Sequence, residues 1–457
     1  MSESLRRVHI VGVGGPGTSA IAIILREMGV TVSGSDVHES AALERLRRIG
    51  VRVNVPHDAN AVTGSDVVAH SAAIRVNNME LVAARAAGIR VWSRAQMLSW
   101  IAKQCRTVAV AGTHGKTTTT TLLTLVLRAV GRDPGYLIGA DVPQLARSAH
   151  WGSEIFVVEA DESDSSHRAI APHSTILTNV DVDHLDEHGS FDGIVESFDS
   201  YLAAIPHVKV VCGDDPTAAR LGRKHGALLY GTNDSNSTDY AVRATDVRFG
   251  DGRIDFVAGT PWGSAAMSVA LRGMHNVRNV LAAVAMAGSL GVSPAESAAA
   301  LREFRGVHRR FDVRATHGGA TFVDDYAHLP AEIAAVLAGV RAEQSRWRRI
   351  IAVFQPNRFN RMAVLSDAYG DAFVDADLVV VTDIYASGTE RIEGVTGKLV
   401  VDAIRGAHPK ARVEWKPNRG ELVDFVANEV REGDLCISMG CGDIETLPDE
   451  VVARRGE

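Results

Sequence analysis

Nine residues, Gly112-Thr113-His114-Gly115-Lys116-Thr117-Thr118-Thr119-Thr120, have the make-up of a phosphate-binding loop. A short apolar, β-branched run, Arg106–Ala111, precedes them, and Thr118–Val130 follows with leucines at helical spacing. Glycines at a strand-to-helix junction let backbone N–H groups approach phosphate oxygens, and the helix N-terminus favours the anion. Lys116 would then face the β- and γ-phosphates, and the Thr117 hydroxyl would ligate Mg2+. The strict form of such a loop has a glycine six residues before the lysine. Val110 stands there, so this is a shortened variant. The expected ligand is ATP.

Three further constellations carry chemistry. Phe156-Val157-Val158-Glu159 is an apolar strand ending in an acid, and Asn179 to His188 concentrates acids and imidazoles, so Glu159 and His184 are candidate metal ligands. Mg2+ prefers oxygen, and the bland alternative for His184 is a solvated loop. Gly12, Gly14 and Gly17 complete G-x-G-x-x-G after Val8–Val11, with Gly15 between them and Asp36 closing the next strand. This is a diphosphate-binding turn in its proper context; its alternative is a tight strand-to-helix turn. Near the C-terminus, Asp324-Asp325-Tyr326-Ala327-His328-Leu329-Pro330 and Gln355-Pro356-Asn357-Arg358-Phe359-Asn360-Arg361 each follow a strand-like run. Arg358 and Arg361, three apart, are expected on one helix face where they could grip a carboxylate, unless they are plain surface arginines. Asn276 and Asn279 open a small-residue helix and could reach a purine edge.

Positioning these groups requires alternating strands and helices through the whole chain, hence an α/β protein of about three domains for 457 residues. We expect residues 1–103 to form a Rossmann-like unit, 104–306 a central P-loop-type ATPase, and 307–457 a second Rossmann-like unit. Apolar residues make up 46% and charged residues 23%, ordinary for a globular protein, and no run of eighteen apolar residues could cross a bilayer. The polar start, Met1 to Arg7, lacks the apolar core of a signal peptide, so a cytoplasmic protein is expected. Four scattered cysteines support neither disulfides nor a zinc knuckle, and a net charge of −7 argues against a nucleic-acid surface.

The boxes GVGGPG, GTHGKTTTT, EADESD, TNVDVDHLD, MHNVRN, VHRRFD, VDDYAHLP and FQPNRFNR, in this order, strongly resemble the Mur ligase family over nearly the whole chain. The resemblance is to its alanine-adding branch. It implies that ATP phosphorylates the lactyl carboxylate of UDP-N-acetylmuramate, that L-alanine attacks the acyl phosphate, and that amide, ADP and phosphate result, as in peptidoglycan precursor synthesis. By the same resemblance Gly12, Gly14, Gly15, Gly17, Asp36 and Ser71 hold the UDP-sugar. ATP falls to Gly112, Thr113, His114, Gly115, Lys116, Thr117, Thr118, Asn276, Asn279, Arg310 and Asp324 or Asp325, with Mg2+ on Thr117 and Glu159 and a second metal on His184. Tyr326, His328, Arg358 and Arg361 surround the amino acid, and His328 is a candidate proton acceptor.

Two departures fall at the substrate boxes: Leu329 stands where the family has a second histidine, and the loop after Asp383-Ile384-Tyr385 reads ASGTERIEG. Both bear on amino-acid choice. Asp199 stands near the spacing at which sister ligases carry a carbamylated lysine, so no carbamate is expected. Competing readings are the same chemistry with another small amino acid, a non-catalytic UDP-sugar-binding paralogue, and a nicotinamide-dependent dehydrogenase, which leaves the second phosphate loop unused. Small-molecule substrates, no nucleic acid, no membrane insertion, and a monomer or weak homodimer complete the expectation.

Overall fold

A computed structural model describes residues 4–71, 73–161, 166–183, 189–232, 239–343 and 346–456. The chain forms two compact units, one of residues 1–247, 256–268 and 276–303, the other of 248–255, 269–275 and 304–457. Three sheets accord with an α/β protein of three parts; the first belongs to the first unit, as does the second apart from residues 248–255 and 269 at its outer edge.

The first sheet contains β1 (Arg7–Val11), β2 (Thr31–Ser35), β3 (Arg52–Asn54), β4 (Val67–His70) and β5 (Arg90–Ser93) in the order β3-β2-β1-β4-β5. Its pairings are parallel. All of β1 after Arg7 is buried, as a parallel strand covered on both faces must be. Helix Pro16–Glu27 follows β1 directly, with Pro16 at the position where a missing N–H costs nothing, and it buries Ile21, Ile24 and Leu25.

The second sheet has β6 (Arg106–Ala111), β7 (Gly135–Leu137), β8 (Ala149–His150), β9 (Ile155–Glu159), β10 (Ser174–Leu177), β11 (Lys209–Cys212) and β12 (Leu228–Gly231). Their order is β12-β11-β10-β6-β9-β7-β8, and β13 (Val242–Gly250), β14 (Arg253–Thr260) and β15 (Gly263–Val269) continue it beyond β12. Helix Lys116–Ala129 leaves the end of the central strand β6. Its five threonines from Thr117 to Thr121 are poor helix formers, yet all are buried, and the Thr121 hydroxyl donates to the Thr117 carbonyl at 2.8 Å. Packing of Leu122, Leu123, Val126 and Leu127, each fully buried, overrides propensity here.

The second unit is built on β16 (Asp312–His317), β17 (Ala320–Asp325), β18 (Arg349–Phe354), β19 (Leu378–Val381), β20 (Val413–Trp415) and β21 (Asp434–Met439), ordered β16-β17-β21-β18-β19-β20. Only β16 runs antiparallel to its neighbour. The chemically loaded segments after β17 and β18 lie at the carboxyl edge of this sheet. Among the described residues no helix is long and apolar enough to cross a membrane. All four cysteines are unpaired by disulfide.

Candidate active site

The loop between β6 and helix Lys116–Ala129 is bound to the end of the neighbouring strand β10. The Thr178 hydroxyl donates to the His114 carbonyl at 2.6 Å, the His114 amide donates to Asn179 Oδ1 at 2.8 Å, and the Asp181 amide donates to Thr113 Oγ1 at 3.0 Å. His114 Nε2 meets Asp181 Oδ2 at 3.0 Å, a contact that holds the Asp181 carboxyl below its usual range. Gly112 and Gly115 adopt φ of 118° and 81°, and a Cβ would overlap Thr178 Oγ1 at the first and Asn279 Oδ1 at the second. The loop therefore takes its shape from glycine at two points.

Lys116 folds back over this loop, its Nζ donating to the carbonyls of Gly112 (2.7 Å) and Thr113 (3.1 Å) and lying 3.8 Å from Asp161 Oδ1. Thr117 and Thr118 follow in the first helical turn, nearly buried. The Thr117 hydroxyl donates to Glu159 Oε2 at 3.0 Å, and the Gly139 amide donates to Oε1 at 2.6 Å. Burial pushes the Glu159 carboxyl above its usual range, against the Gly139 amide, the Lys116 charge and the Thr117 hydroxyl. A desolvated carboxylate beside a hydroxyl, at the positive end of a helix, fits a hard divalent cation, which would offset that burial. His184, the other candidate ligand, lies outside the described residues. Among those described, no group of three or more His, Cys, Asp or Glu side chains is gathered for a metal. Asn279 stands against Gly115, and its amide donates to Asn276 Oδ1 at 3.0 Å, so the two asparagines named for the purine form one pair beside the loop.

At the first glycine turn the structure redistributes roles. The amides of Gly12 and Val13 donate to the Ser35 carbonyl (2.8 and 3.0 Å), that of Gly14 donates to Asp36 Oδ2 (2.8 Å), and that of Gly15 to the Gly12 carbonyl (3.3 Å). These glycines shape the turn. The amides left for an anion by helix geometry are those of the first turn, Gly17 and Thr18. Asp36, expected among the sugar-nucleotide residues, accepts the Gly14 and Val37 amides. Ser71, at the end of β4, stands beside Gly12, where an added Cβ would lie 3.3 Å from its own.

In the second unit, Asp324 is fully buried, with Oδ2 on Arg309 Nε (2.9 Å) and Oδ1 on the Ser438 hydroxyl (3.1 Å). It anchors Arg309 from inside the fold, which differs from the ligand-facing place expected for it. Arg309 and Arg310 both lie over the Tyr326 ring, at 5.1 and 5.2 Å from its centre. Asp325 accepts the amides of Phe311 (2.7 Å) and Ala327 (2.8 Å), and burial pushes its carboxyl up to about 6. His328 packs edge-on to Tyr326, and its Nδ1 lies 3.1 Å from the Tyr326 carbonyl and 3.3 Å from Glu332 Oε2. A carbonyl can only accept, so Nδ1 carries the proton in this inferred tautomer. Leu329, the departure from the family box, is 3% exposed and turned into the core.

Arg358 and Arg361 do not share a helix face. Helix Phe359–Leu365 starts one residue after Arg358, which caps it at φ +60°, while Arg361 is buried and donates to Asn357 Oδ1 at 2.8 Å. A non-glycine residue held in left-handed backbone beside a polar loop is the kind of strain found at binding sites. Sequence reasoning missed Arg94, whose guanidinium lies over Gly17, 2.8 Å from where a Cβ would stand, and Asn179, which pins the phosphate loop. Asn179 was in a segment already flagged for its acids; Arg94 had no signal, being brought to the glycine turn only by the fold.

Residues 7–106 match the Mur ligase family catalytic domain, 110–287 the Mur ligase middle domain, and 309–442 the Mur ligase glutamate ligase domain. The chain is 39% identical to the UDP-N-acetylmuramate–L-alanine ligase of Pelotomaculum thermopropionicum, covering 100% of this chain and 99% of that one. With the protein of that name from Sorangium cellulosum the figures are 40%, 98% and 96%. Among solved structures it resembles the UDP-N-acetylmuramate-alanine ligase MurC of Thermotoga maritima, with a TM-score of 0.81, 28% identity and 99% of both chains covered.

Proposed function

This chain belongs to the Mur ligase family, and we propose that it joins L-alanine to the lactyl carboxylate of UDP-N-acetylmuramate at the expense of ATP. The reaction is an amide synthesis for the peptidoglycan precursor. A carboxylate is a poor acyl donor because oxide would have to leave, so the γ-phosphoryl of ATP is first placed on it and phosphate becomes the leaving group. The alanine amine attacks the acyl carbon, the tetrahedral adduct collapses, and phosphate departs with the C–O bond.

The observation that carries this reading is the Thr117–Glu159 pair at the start of the helix that Lys116 opens. Transfer of a phosphoryl group onto an anion needs fixed positive charge around the equatorial oxygens. Lys116, presently spread over two loop carbonyls, supplies it by turning from them to the β- and γ-phosphates. Thr117 and Glu159 would hold Mg2+, which when bound neutralises charge on the transferring group, and His184 would hold a second metal in the family pattern. Asn276 and Asn279 attend the base. The first turn of helix Pro16–Glu27, with Arg94 above Gly17, takes the diphosphate of the sugar nucleotide.

In the second unit, Arg358 and Arg361 receive the alanine carboxylate, and Tyr326 and His328 line the same place. With Nδ1 committed to the Tyr326 carbonyl, the Nε2 side of His328 is the one suited to take the ammonium proton. Because Leu329 is buried, its departure from the family box does not touch the amino acid, which favours alanine over another small donor. Domain boundaries at 103/104 and 306/307 belong to this proposal.

The test is phosphate release by the purified protein with ATP, Mg2+, UDP-N-acetylmuramate and, in separate reactions, alanine, glycine and serine. Release dependent on the sugar nucleotide and greatest with alanine is expected, and Lys116→Met should lower it by about a thousandfold or more. No release with any of the three, or equal release by Lys116→Met, would refute the assignment.

A further inference from the structure

Behind the glycine turn lies a buried polar cluster that the reaction does not use. Glu80, in the first turn of helix Met79–Ala86, is fully buried. Its Oε2 accepts the Ser35 hydroxyl at 2.5 Å and lies 3.2 Å from His9 Nε2, and its Oε1 accepts the Asp58 amide at 2.8 Å. His57 Nδ1 meets Ser35 Oγ at 2.8 Å, and His9 Nδ1 meets Ser33 Oγ at 2.9 Å. One carboxylate thus ties β1, β2 and the segment after β3 to a single helix.

A buried acid without return is costly, so its contacts should be read for what they hold. Burial raises the Glu80 carboxyl, but hydrogen bonds from His9, Ser35 and the Asp58 amide outweigh it and keep the group below its usual range, ionised. Ser35 is the informative partner. Its side chain is gripped by Glu80, while its carbonyl accepts both the Gly12 and Val13 amides, and the next residue, Asp36, accepts Gly14. Moving Ser35 moves the turn, and with it the first amides of helix Pro16–Glu27.

We propose that Glu80 is a positioning residue for the sugar nucleotide: by clamping Ser35 it sets the glycine turn, and so the helix N-terminus, at the place where the diphosphate binds. It touches no substrate. This rests on the assignment of that turn to UDP-N-acetylmuramate, so the experiment tests the two separately.

Calorimetric binding of UDP-N-acetylmuramate to the parent protein comes first; absence of binding overturns the site assignment and leaves the clamp without an object. Steady-state kinetics then compare Glu80→Ala, Glu80→Gln and Ser35→Ala. Loss of a charge-assisted hydrogen bond that fixes a binding loop predicts a KM for UDP-N-acetylmuramate raised about tenfold or more in Glu80→Ala. The KM for ATP and kcat should stay within about threefold, since the clamp has no contact with the phosphate loop. Glu80→Gln keeps the shape and one acceptor and should recover much of the loss. Ser35→Ala keeps the carbonyl, removes only the clamped hydroxyl, and should raise the same KM by a smaller factor. A merely structural role would lower folded protein without splitting the two KM values. If Glu80→Ala does not fold, Ser35→Ala decides alone, and an unchanged KM for the sugar nucleotide in it overturns the proposal.

Discussion

Replacing Gly115 by alanine tests whether the shape of the phosphate loop is a requirement of ATP use. Gly115 caps helix Lys116–Ala129 at φ +81°, a conformation that costs an alanine roughly 1–2 kcal/mol. The added methyl also overlaps Asn279 Oδ1, so Asn279 must turn away and loses its bond to Asn276, about another 1 kcal/mol. Together these predict a loss of about 100-fold in kcat/KM for ATP. Gly131, just past the other end of the same helix, supplies the control. Its φ is +80° and nothing lies within 4 Å of an added Cβ, so Gly131→Ala carries the backbone cost without the overlap. That variant should lower the apparent melting temperature by roughly 2–4 °C and leave kcat/KM for ATP unchanged. Coupled phosphate-release assays at varied ATP, with UDP-N-acetylmuramate and alanine saturating, read both. Equal ATP kinetics for Gly115→Ala and the parent would refute the reasoning, as would an equal loss in Gly131→Ala.

Three further outcomes follow from the same geometry. Thr117→Val removes the hydroxyl beside Glu159 and should raise the Mg2+ concentration for half-maximal activity about tenfold, while Thr117→Ser should stay near the parent; a titration showing identical midpoints for both would dismiss the hydroxyl as a ligand. Arg358→Lys keeps a charge but loses the planar fork, so the KM for alanine should climb about tenfold or more with the KM for ATP unmoved, as initial-rate measurements would reveal. Asp325 titrates near 6 in the fold against an ordinary 3.8, so its raised value favours the folded state most below about pH 4 and that contribution, roughly 3 kcal/mol, fades as pH rises through 6. The melting-temperature difference between parent and Asp325→Asn should therefore shrink from pH 4 to pH 7, and a constant difference would show that Asp325 does not titrate there.

Central strands of all three sheets were legible because buried parallel strands write themselves as apolar runs. Arg106–Ala111 was read to the residue, and the strands ending near Glu159, Asp325 and Phe354 to within one or two. The short or outlying strands β3–β5, β7, β8, β11–β16 and β20 were not, since brief strands give little pattern and half-exposed ones such as β13 alternate only weakly and carry charges. At the site, the types of residue were readable and their directions were not. Arg358 and Arg361 look like a helical pair until the backbone turns left-handed at the first of them, and Arg94 reaches Gly17 from 77 positions along the chain only through the packing of two helices against one sheet.

Strand-end acids show most clearly why composition stops short of function. Asp36, Glu159, Asp324 and Asp325 occupy equivalent positions at the carboxyl ends of parallel strands, and in a sequence they are interchangeable. Their partners separate them. Asp36 and Asp325 are each spent on two backbone amides, and Asp324 on a guanidinium and a hydroxyl deep in the core, so a cation would have to displace main-chain donors at the first two and compete with the Arg309 charge at the third. Glu159 has one oxygen on the Gly139 amide and the other on a hydroxyl, Thr117, which can rotate to offer its own lone pair to the same ion. Of the four, it alone could meet a metal together with a rotatable hydroxyl while displacing neither a guanidinium nor a backbone amide, and that difference in hydrogen-bond bookkeeping, not the presence of an acid, supports the metal-holding role proposed for it.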